Sequence, residues 1–383
     1  MRHVSLLAVI LVCAFAAVAQ TAKIASQQEL AAYLKAHPQF PEEYVVEKFK
    51  THDIVFLGEY HRIRHDAELV QALIPRLYSA GVHNLGFEFA PFEDQADLDR
   101  LLTASGYDEA LARKILFHGM PTWGYREYLD IYRAAWQVNH SLPVGAPRFR
   151  VFNLMYRPNW SLLQGERTPE VMSKVWYKGD PDAYMAQVVL KEFVAKNEKA
   201  LVYCGIHHAF TRYHQPLYDF DKGNLDGLND ERMGNLVYEQ IGSRAMTVYL
   251  HAPWVSSKGW DAPEVRPVNG AIDAVMSDFK DTRIGFDVVG TPFGTLPASD
   301  TYYAFGYPSF KLADFADGYI YQKPFRDYQG VTADPQFVTQ SNLQEAIANL
   351  ASPEGRKLLT SPERFLRAMQ EDADMQSRLK DLK

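Results

Sequence analysis

The sequence is poor in cysteine, because its 383 residues contain only Cys13 and Cys204. Cys13 lies in an N-terminal segment that we expect to be removed, which leaves one cysteine in the mature chain. A single cysteine forms no intrachain disulfide, so an exported protein of this length must be stabilised by burial in a large core. The pattern Cys-x-x-Cys-His is also absent, which excludes covalent haem attachment by the usual rule.

The N-terminal segment has the three parts of a secretory signal peptide. Arg2 supplies the basic start, an apolar centre follows, and small residues end the segment at Ala19. We therefore expect residues 1–19 to be a signal peptide and the mature protein to be exported, either periplasmic or secreted. A retained membrane anchor is the alternative, although the apolar stretch is short for a spanning helix. Lipid anchoring at Cys13 is less favoured, because Val12 precedes it where a small residue is usual.

Beyond residue 19 the sequence lacks a long apolar run, a cluster of basic residues, an internal repeat and a low-complexity tract. The formal net charge is -7 for the full chain and becomes -8 when Arg2 is lost with the signal peptide. This balance argues against a nucleic-acid partner and against a polybasic membrane surface. We expect a small-molecule or peptide partner and no stable membrane span after cleavage, and the oligomeric state is left open.

Short apolar runs alternate with amphipathic helical patterns, which is typical of an α/β protein with a mostly parallel sheet and flanking helices. The clearest runs are residues 54–57, 82–89, 148–154 and 201–206. The 364 residues left after 19 of 383 are removed are enough for a large core. We expect one domain over residues 20–383, with a core over about 51–325, an elaborated C-terminal part and terminal helices over about 342–383.

Chemistry-bearing side chains directly follow the first apolar run. Gly58 ends this run, and Glu59 and His61 come next. The continuous apolar residues before Gly58 are typical of a strand buried on both faces. In open parallel sheets ligands bind at the carboxyl ends of the strands, so Glu59 and His61 are candidate site residues at that edge. A glutamate and a histidine on an ordinary surface loop are the alternative.

Two later apolar runs end in the same way. Glu88 lies at the end of the second run, and His207 and His208 follow a glycine at the end of the fourth. A right-handed crossover brings the carboxyl ends of successive parallel strands to one edge, so these residues should converge with the first pair. We expect one histidine, preferably His208, to reach the site and the other to support it. The alternatives are a turn-capping charge for Glu88 and ordinary hydrogen-bonded histidines at a strand end.

Several residues near these motifs are weaker candidates. Tyr60, His65 and Asp182 lie beside the motifs and are further candidate site residues. Asp66 is expected to cap the helix that follows the first motif. An aromatic stripe either lines a hydrophobic pocket or, as we prefer, belongs to the core. It is formed by Tyr125, Tyr128, Tyr132 and Trp136.

The ordered set of motifs resembles one family. The motifs are Gly58-Glu59-x-His61 with His65, Gly86-Phe-Glu88, Asp182-x-x-Met185-Ala186 and Gly205-Ile-His-His208. Over roughly residues 51–250 they resemble ChaN-like haem-binding uptake proteins and their relatives in the Tiki/TraB and erythromycin esterase group. The resemblance implies an α/β core with a site at one sheet edge, and haem binding, metal-dependent peptidase activity or lactone hydrolysis. The esterases have two residues between the glutamate and the histidine where this chain has only Tyr60, which favours the ChaN-like side over macrolide hydrolysis.

Two functions suit these residues. We favour hydrolysis of an amide or ester, either with a divalent metal such as zinc, manganese or iron or with His61 as a general base oriented by a carboxylate. The candidate catalytic residues are Glu59, His61, Glu88 and His208, and the candidate metal ligands are the same four with His207. The alternative is haem binding without turnover, with Tyr60 or a histidine on the iron and the aromatic stripe beside the porphyrin. Carboxylates at strand ends suit the hydrolase better. A scaffold with an inactive site is a third alternative.

Overall fold

The computed structural model describes residues 24–382, so the predicted signal peptide, residues 1–19, lies outside the described residues. Within the described part there are nine strands. They are β1 Ile54–Glu59, β2 Asn84–Pro91, β3 Arg150–Met155, β4 Ala200–Gly205, β5 Gln215–Asp219, β6 Asn224–Asn229, β7 Ala245–Leu250, β8 Ile284–Asp287 and β9 Gly318–Tyr321.

Sixteen α-helices accompany these strands in the described residues. The first eight are α1 Gln27–Ala36, α2 Pro41–Lys48, α3 Arg64–Ser79, α4 Gln95–Thr103, α5 Glu109–Gly119, α6 Arg126–Ser141, α7 Pro169–Val175 and α8 Pro181–Glu192. The others are α9 Ile206–Ala209, α10 Met233–Ile241, α11 Ala271–Asp278, α12 Leu312–Phe315, α13 Leu343–Ala348, α14 Pro353–Leu358, α15 Pro362–Asp372 and α16 Met375–Arg378. Among residues 24–382, none of these helices is long and apolar enough to cross a membrane.

Seven strands form one sheet in the order β3-β2-β4-β1-β7-β9-β8. All neighbours in this sheet run parallel except β8, which pairs antiparallel with β9 at one edge. The predicted α/β fold with a mostly parallel sheet and flanking helices is therefore confirmed. Strand β1 lies in the middle, and its register with β4 sets Glu59 directly beside Gly205. The ends of the first and fourth predicted runs are neighbours in the sheet.

The continuous apolar run of β1 is explained by burial on both faces of the sheet. Ile54 and Phe56 pack into the core on one face, and Val55 and Leu57 pack into the core on the other. All four side chains are fully buried. Because side chains alternate along a strand, Glu59 points to the same face as Val55 and Leu57, toward α6. The strand thus carries its carboxylate into the layer that holds the aromatic stripe.

The structure differs from the sequence prediction at two places near the site. Helix α3 begins at Arg64 with Ile63 as its N-cap residue, so the prediction that Asp66 caps this helix is wrong. Asp66 is instead buried in the first turn, where its Oδ1 accepts a hydrogen bond of 2.9 Å from Gln322. The short hairpin of β5 and β6 was not predicted, because its residues are mostly exposed and show no apolar run.

Candidate functional site

The carboxylate of Glu59 is held by two buried tyrosines. The Tyr128 hydroxyl, on α6, donates to Glu59 at 2.6 Å from Oε1 and 2.8 Å from Oε2, and the Tyr203 hydroxyl, on β4, donates to Oε2. The Glu59 side chain has no exposed surface. A buried carboxylate is costly unless hydrogen bonds replace its water, and these hydroxyls do so. Burial and the Glu59 charge raise the pKa of both phenols well above the usual value, so both remain donors.

His61 receives its orientation from Glu59. Its Nδ1 lies 2.7 Å from Glu59 Oε1, and because a carboxylate only accepts hydrogen bonds, this nitrogen carries the hydrogen. The Nε2 lone pair of a neutral imidazole then remains free to accept a proton. The ring is packed edge-on against Trp123 and Phe89, with centroid distances of 5.1 and 5.7 Å, yet the side chain is 38 % exposed. His61 is fixed on one side and accessible on the other.

Gly205 leaves the space in which His61 and Glu88 meet. A Cβ at Gly205 would lie 2.6 Å from His61 Cε1, 2.9 Å from His61 Nε2 and 3.6 Å from Glu88 Oε2. The Gly205 N–H donates to Glu88 Oε2 at 2.7 Å, which fixes the carboxylate beside the imidazole. The absence of a side chain at this position is required for the close approach. Glu88 lies on β2 and Gly205 on β4, and His61 lies in the turn that follows β1.

His208 lies on the other side of Glu88. Its Nδ1 is 2.6 Å from Asp182 Oδ1, and its Nε2 is 3.4 Å from Glu88 Oε1. Burial lowers the pKa of His208, but the two carboxylates outweigh burial and raise it to about 9. Burial raises the pKa of Asp182, but His208, the Met233 amide and Arg232 outweigh it and lower this pKa to about 2. Near neutral pH His208 is therefore a cation between two carboxylates.

The remaining candidates lie in different surroundings. His207 Nε2 is 2.9 Å from the Tyr303 hydroxyl, and burial, followed by the charge of Arg232, lowers the pKa of His207 to about 3. His207 is thus neutral and supports the wall of the site. His65 is buried against Tyr328, with ring centroids 4.6 Å apart, and does not line the cavity beside His61.

A cavity of about 300 Å³ lies in front of these residues. One wall is formed by His61, Gly205 and His208, and apolar residues, among them Pro253 and Val255, form another. The charged and polar residues at the rest of the lining include Glu59, Tyr60, Arg62, His207, Glu264, Tyr303 and Arg378. The Tyr60 hydroxyl donates to Glu264 and accepts from Arg378. An apolar pocket with a few converging polar groups is the usual form of a small-molecule site.

Several contributors to the site were not predicted from the sequence, among them Arg62 and Tyr303 in the cavity lining. Tyr128 was expected by preference in the core with the rest of its stripe, and Tyr203 falls in an apolar run. A buried tyrosine requires a partner for its hydroxyl, and this was the signal available. Glu264 and Arg378 belong to no motif and come from far along the chain. The rest of the aromatic stripe is core, as preferred, because Tyr125 and Tyr132 are fully buried.

The arrangement does not fit a metal centre well. In residues 24–382 no group of three or more histidine, cysteine, aspartate or glutamate side chains is placed so that it could hold a metal ion. Glu59 already accepts hydrogen bonds from Tyr128, Tyr203 and His61. His208 Nδ1 is engaged by Asp182. Of the candidate ligands, Glu59 and His208 Nδ1 are thus engaged by other side chains, and His61 Nε2 is the ring nitrogen left free.

Comparison with known families confirms the resemblance over part of the chain. The sequence model of the family described as "Haem-binding uptake, Tiki superfamily, ChaN" matches residues 45–149. This range contains Glu59, His61 and Glu88 but not Asp182 or the two adjacent histidines. No curated protein matches the chain in sequence.

Solved structures show the same fold at low sequence identity. A Bacillus cereus protein has a TM-score of 0.51 at 12 % identity, covering 77 % of this chain and 97 % of its own. A succinoglycan biosynthesis protein has a TM-score of 0.51 at 11 % identity, with coverages of 78 % and 97 %. A mutant of the erythromycin esterase EreC in its open conformation has a TM-score of 0.45 at 10 % identity, with coverages of 72 % and 90 %. The first two support the α/β fold and do not identify an activity.

Proposed function

We propose that this protein is a hydrolase of ester or amide bonds that uses His61 as the general base. The observation that carries the proposal is the orientation of His61. Glu59 Oε1 accepts a hydrogen bond of 2.7 Å from His61 Nδ1, and the side chain of His61 is partly exposed at the cavity wall, where Nε2 is free. A base of this kind contributes about 10²–10⁴-fold to a rate. Glu88 and the His208 cation stand next to it, so charge is available where a reaction intermediate would develop it.

The chemistry follows from these positions. His61 Nε2 removes a proton from a water, and the water oxygen attacks the carbonyl carbon of the substrate. The developing oxyanion is stabilised by the positive charge of His208, which lines the same cavity and whose Nε2 is 3.4 Å from Glu88 Oε1. When the intermediate collapses, the imidazolium of His61 returns its proton to the leaving alcohol or amine. Glu59 stays ionised and stabilises that imidazolium.

Haem binding remains the second candidate, and it would use different atoms. The Tyr60 hydroxyl is hydrogen-bonded to Glu264 and Arg378, and burial and the Glu264 charge raise its pKa. A protonated and engaged phenol is a poor iron ligand, so His61 Nε2 would be the atom left to hold the iron. Tyr125 and Tyr128 are fully buried and offer no surface to a porphyrin. These contacts support the hydrolase over the haem protein.

The test is hydrolysis of p-nitrophenyl esters and anilides by the purified protein and by His61→Ala, with haemin titration in parallel. We expect ester or amide turnover that falls at least about 10²-fold in His61→Ala. His140→Ala, an exposed histidine on α6, is the matched control and should retain full activity. A Soret band that depends on His61, without any turnover in the panel, would overturn the proposal.

We also propose that the protein is exported after cleavage of residues 1–19 and that residues 20–383 form one domain. The basic start, apolar centre and small-residue end of the leader support export. Core residues from β1, β4, β7 and β9 pack into shared clusters on both faces of the sheet, which supports a single unit. The intact mass of the purified protein should correspond to a chain that begins at Gln20. Limited proteolysis should leave the core in one fragment.

A further inference from the structure

We propose that the mouth of the cavity binds a carboxylate through Arg62 and Arg378, so that the substrate is an ester or amide carrying an acid group. This inference rests on the proposed hydrolase function. Arg62 follows the catalytic motif directly, and Arg378 comes from α16 near the other end of the described chain. Both arginines line the same cavity as His61 and His208.

One residue brings the two guanidinium groups together. Arg62 Nη2 donates to Asp372 Oδ2 at 3.4 Å, and Arg378 Nη1 donates to the Asp372 carbonyl oxygen at 3.5 Å. Two like charges therefore share one neighbour at the cavity mouth, and the Asp372 carboxylate contacts only Arg62, since Arg378 uses the backbone oxygen. Arginine forks match the planar geometry of a carboxylate, so a second carboxylate would complete this arrangement.

The arginines keep unused donors, whereas the carboxylates of the cavity are engaged. Within residues 24–382, Arg62 Nη1 and Arg378 Nε have no hydrogen-bond partner. Glu59 accepts three side-chain donors, and Glu264 Oε1 accepts the hydroxyl of Tyr60. The same Tyr60 oxygen accepts from Arg378, so it holds the guanidinium in position. The two arginines that line the cavity thus each have a positively charged N–H group free to donate to a ligand.

The backbone at Arg62 is held in an uncommon conformation. Its φ of 71° lies in the left-handed region, which is unfavourable for a residue other than glycine. The Arg62 N–H donates to the Tyr128 hydroxyl at 3.1 Å, and the Arg62 carbonyl oxygen accepts from Val331 at 3.0 Å. The guanidinium lies over Trp123, 4.4 Å from the ring centre. These contacts preserve a strained residue whose side chain ends at the cavity, as is frequent at binding sites.

The apolar part of the lining fits the rest of such a substrate. Pro253, Val255 and Ala262 line the cavity together with Trp260, which is 56 % exposed. They offer an apolar surface to a carbon chain between the acid group at the arginines and the scissile bond at His61. The expected substrate class is therefore an ester or amide of an amphiphilic acid.

The experiment compares three p-nitrophenyl esters of similar length: mono-p-nitrophenyl adipate, p-nitrophenyl hexanoate and p-nitrophenyl aminohexanoate, which are anionic, neutral and cationic. After subtraction of spontaneous hydrolysis, we expect kcat/KM for the adipate to exceed that for the hexanoate by about 10-fold or more. Arg378→Gln should reduce this ratio to near one, and Arg378→Glu should favour the aminohexanoate. Arg367→Gln, an exposed arginine on α15, is the matched control and should keep the ratio.

Binding is measured separately from turnover by titrating adipate and the neutral adipamide against tryptophan fluorescence, with Trp260→Phe to assign the signal. We expect adipate to bind the wild type at least about 10-fold more tightly than adipamide, and Arg378→Gln to abolish the difference. Arg378-dependent adipate binding without hydrolysis of any ester would support the carboxylate site and contradict the hydrolase. Hydrolysis with no preference for the adipate, in wild type and Arg378→Gln alike, would overturn the carboxylate site and leave the hydrolase standing.

Discussion

The Glu59 carboxylate accepts hydrogen bonds from three side chains, and replacing it with an amide tests whether the proposed catalysis depends on them. In Glu59→Gln the amide keeps the size of the side chain but replaces one acceptor oxygen with an NH₂ donor. Tyr128, Tyr203 and His61 then compete for one acceptor, and the imidazolium formed in catalysis loses its counter-charge. We expect kcat to fall by about 10²-fold or more, with a smaller loss of thermal stability.

Steady-state kinetics and thermal unfolding of the same preparations separate these two effects. Glu68→Gln on the exposed face of α3 makes the same chemical change away from the site and should leave both quantities unchanged. A Glu59→Gln variant with wild-type kcat would show that His61 does not depend on this carboxylate.

The His208 ion pairs predict a pH dependence of stability. The pKa of His208 is raised to about 9 in the folded protein, above the ordinary value of 6.5, so the proton stabilises the fold. This contribution is fully present below about pH 6.5 and is lost as the pH rises through 9. We expect the wild type to lose about 1–3 kcal/mol more stability than His208→Gln between pH 6.5 and 9.

Urea unfolding at several pH values measures this difference. The Asp182 carboxylate acts at the opposite end of the pH range, because its pKa is lowered to about 2 and its contribution disappears as the pH falls through that value. Parallel curves for wild type and His208→Gln over the alkaline range would contradict the ion pairs.

At the scale of elements, the site depends on how closely β4 approaches the loop that follows β1. In Gly205→Ala the new Cβ would overlap the His61 ring, at 2.6 Å from Cε1, and the ring must move. We expect hydrolysis to fall by about 10²-fold, because a displacement of this size removes the general base from its position. The fold should persist, since the His61 ring is partly exposed and has space to move.

Gly106→Ala is the matched control, because a Cβ at Gly106 has nothing within 4 Å. Turnover and far-UV circular dichroism are measured for both variants. Full activity in Gly205→Ala would show that the close contact of His61 with β4 is not used.

The elements also show what the sequence predicts and where it stops. Strands β1, β2 and β4 were predicted because each lies in a mainly apolar run, which burial on both faces favours. Their order was not predictable, because β4 lies between β2 and β1 although it follows them by many residues. Asp66 was read as a cap from its position alone, whereas its contact with Gln322 depends on the packing of distant segments.

The site shows the same division. The strand-end pattern predicted the neighbourhood of Glu59 and Gly205, since parallel neighbours end at one edge. It did not predict Glu264 or Arg378, which reach the cavity from loops and short helices without a motif. Local sequence patterns identify site residues that lie at strand ends. They do not identify residues that reach the site only through the packing of distant segments.

At the scale of the whole molecule, the engaged donors of the site predict activity without a bound metal. We expect wild-type protein dialysed against a chelator to keep its esterase activity and to contain far less than one metal ion per chain. Elemental analysis before and after dialysis, with activity on the same samples, is the measurement. About one zinc, manganese or iron ion per chain that is lost together with activity, and lost in His61→Ala, would establish a metallohydrolase instead.

Arg378 lies on a late element, α16, and the proposed catalytic residues precede it: Glu59 on β1, His61 in the turn after β1, Glu88 on β2 and His208 on α9. On the proposed function, one arginine of the carboxylate site, Arg62, is encoded next to the proposed general base, whereas the other, Arg378, is encoded far downstream of it. Mutation or recombination downstream of the codon for Tyr303 changes the cavity mouth and leaves every codon of the catalytic cluster intact. On this arrangement, relatives with the same histidines are expected to diverge in substrate first through their C-terminal helices.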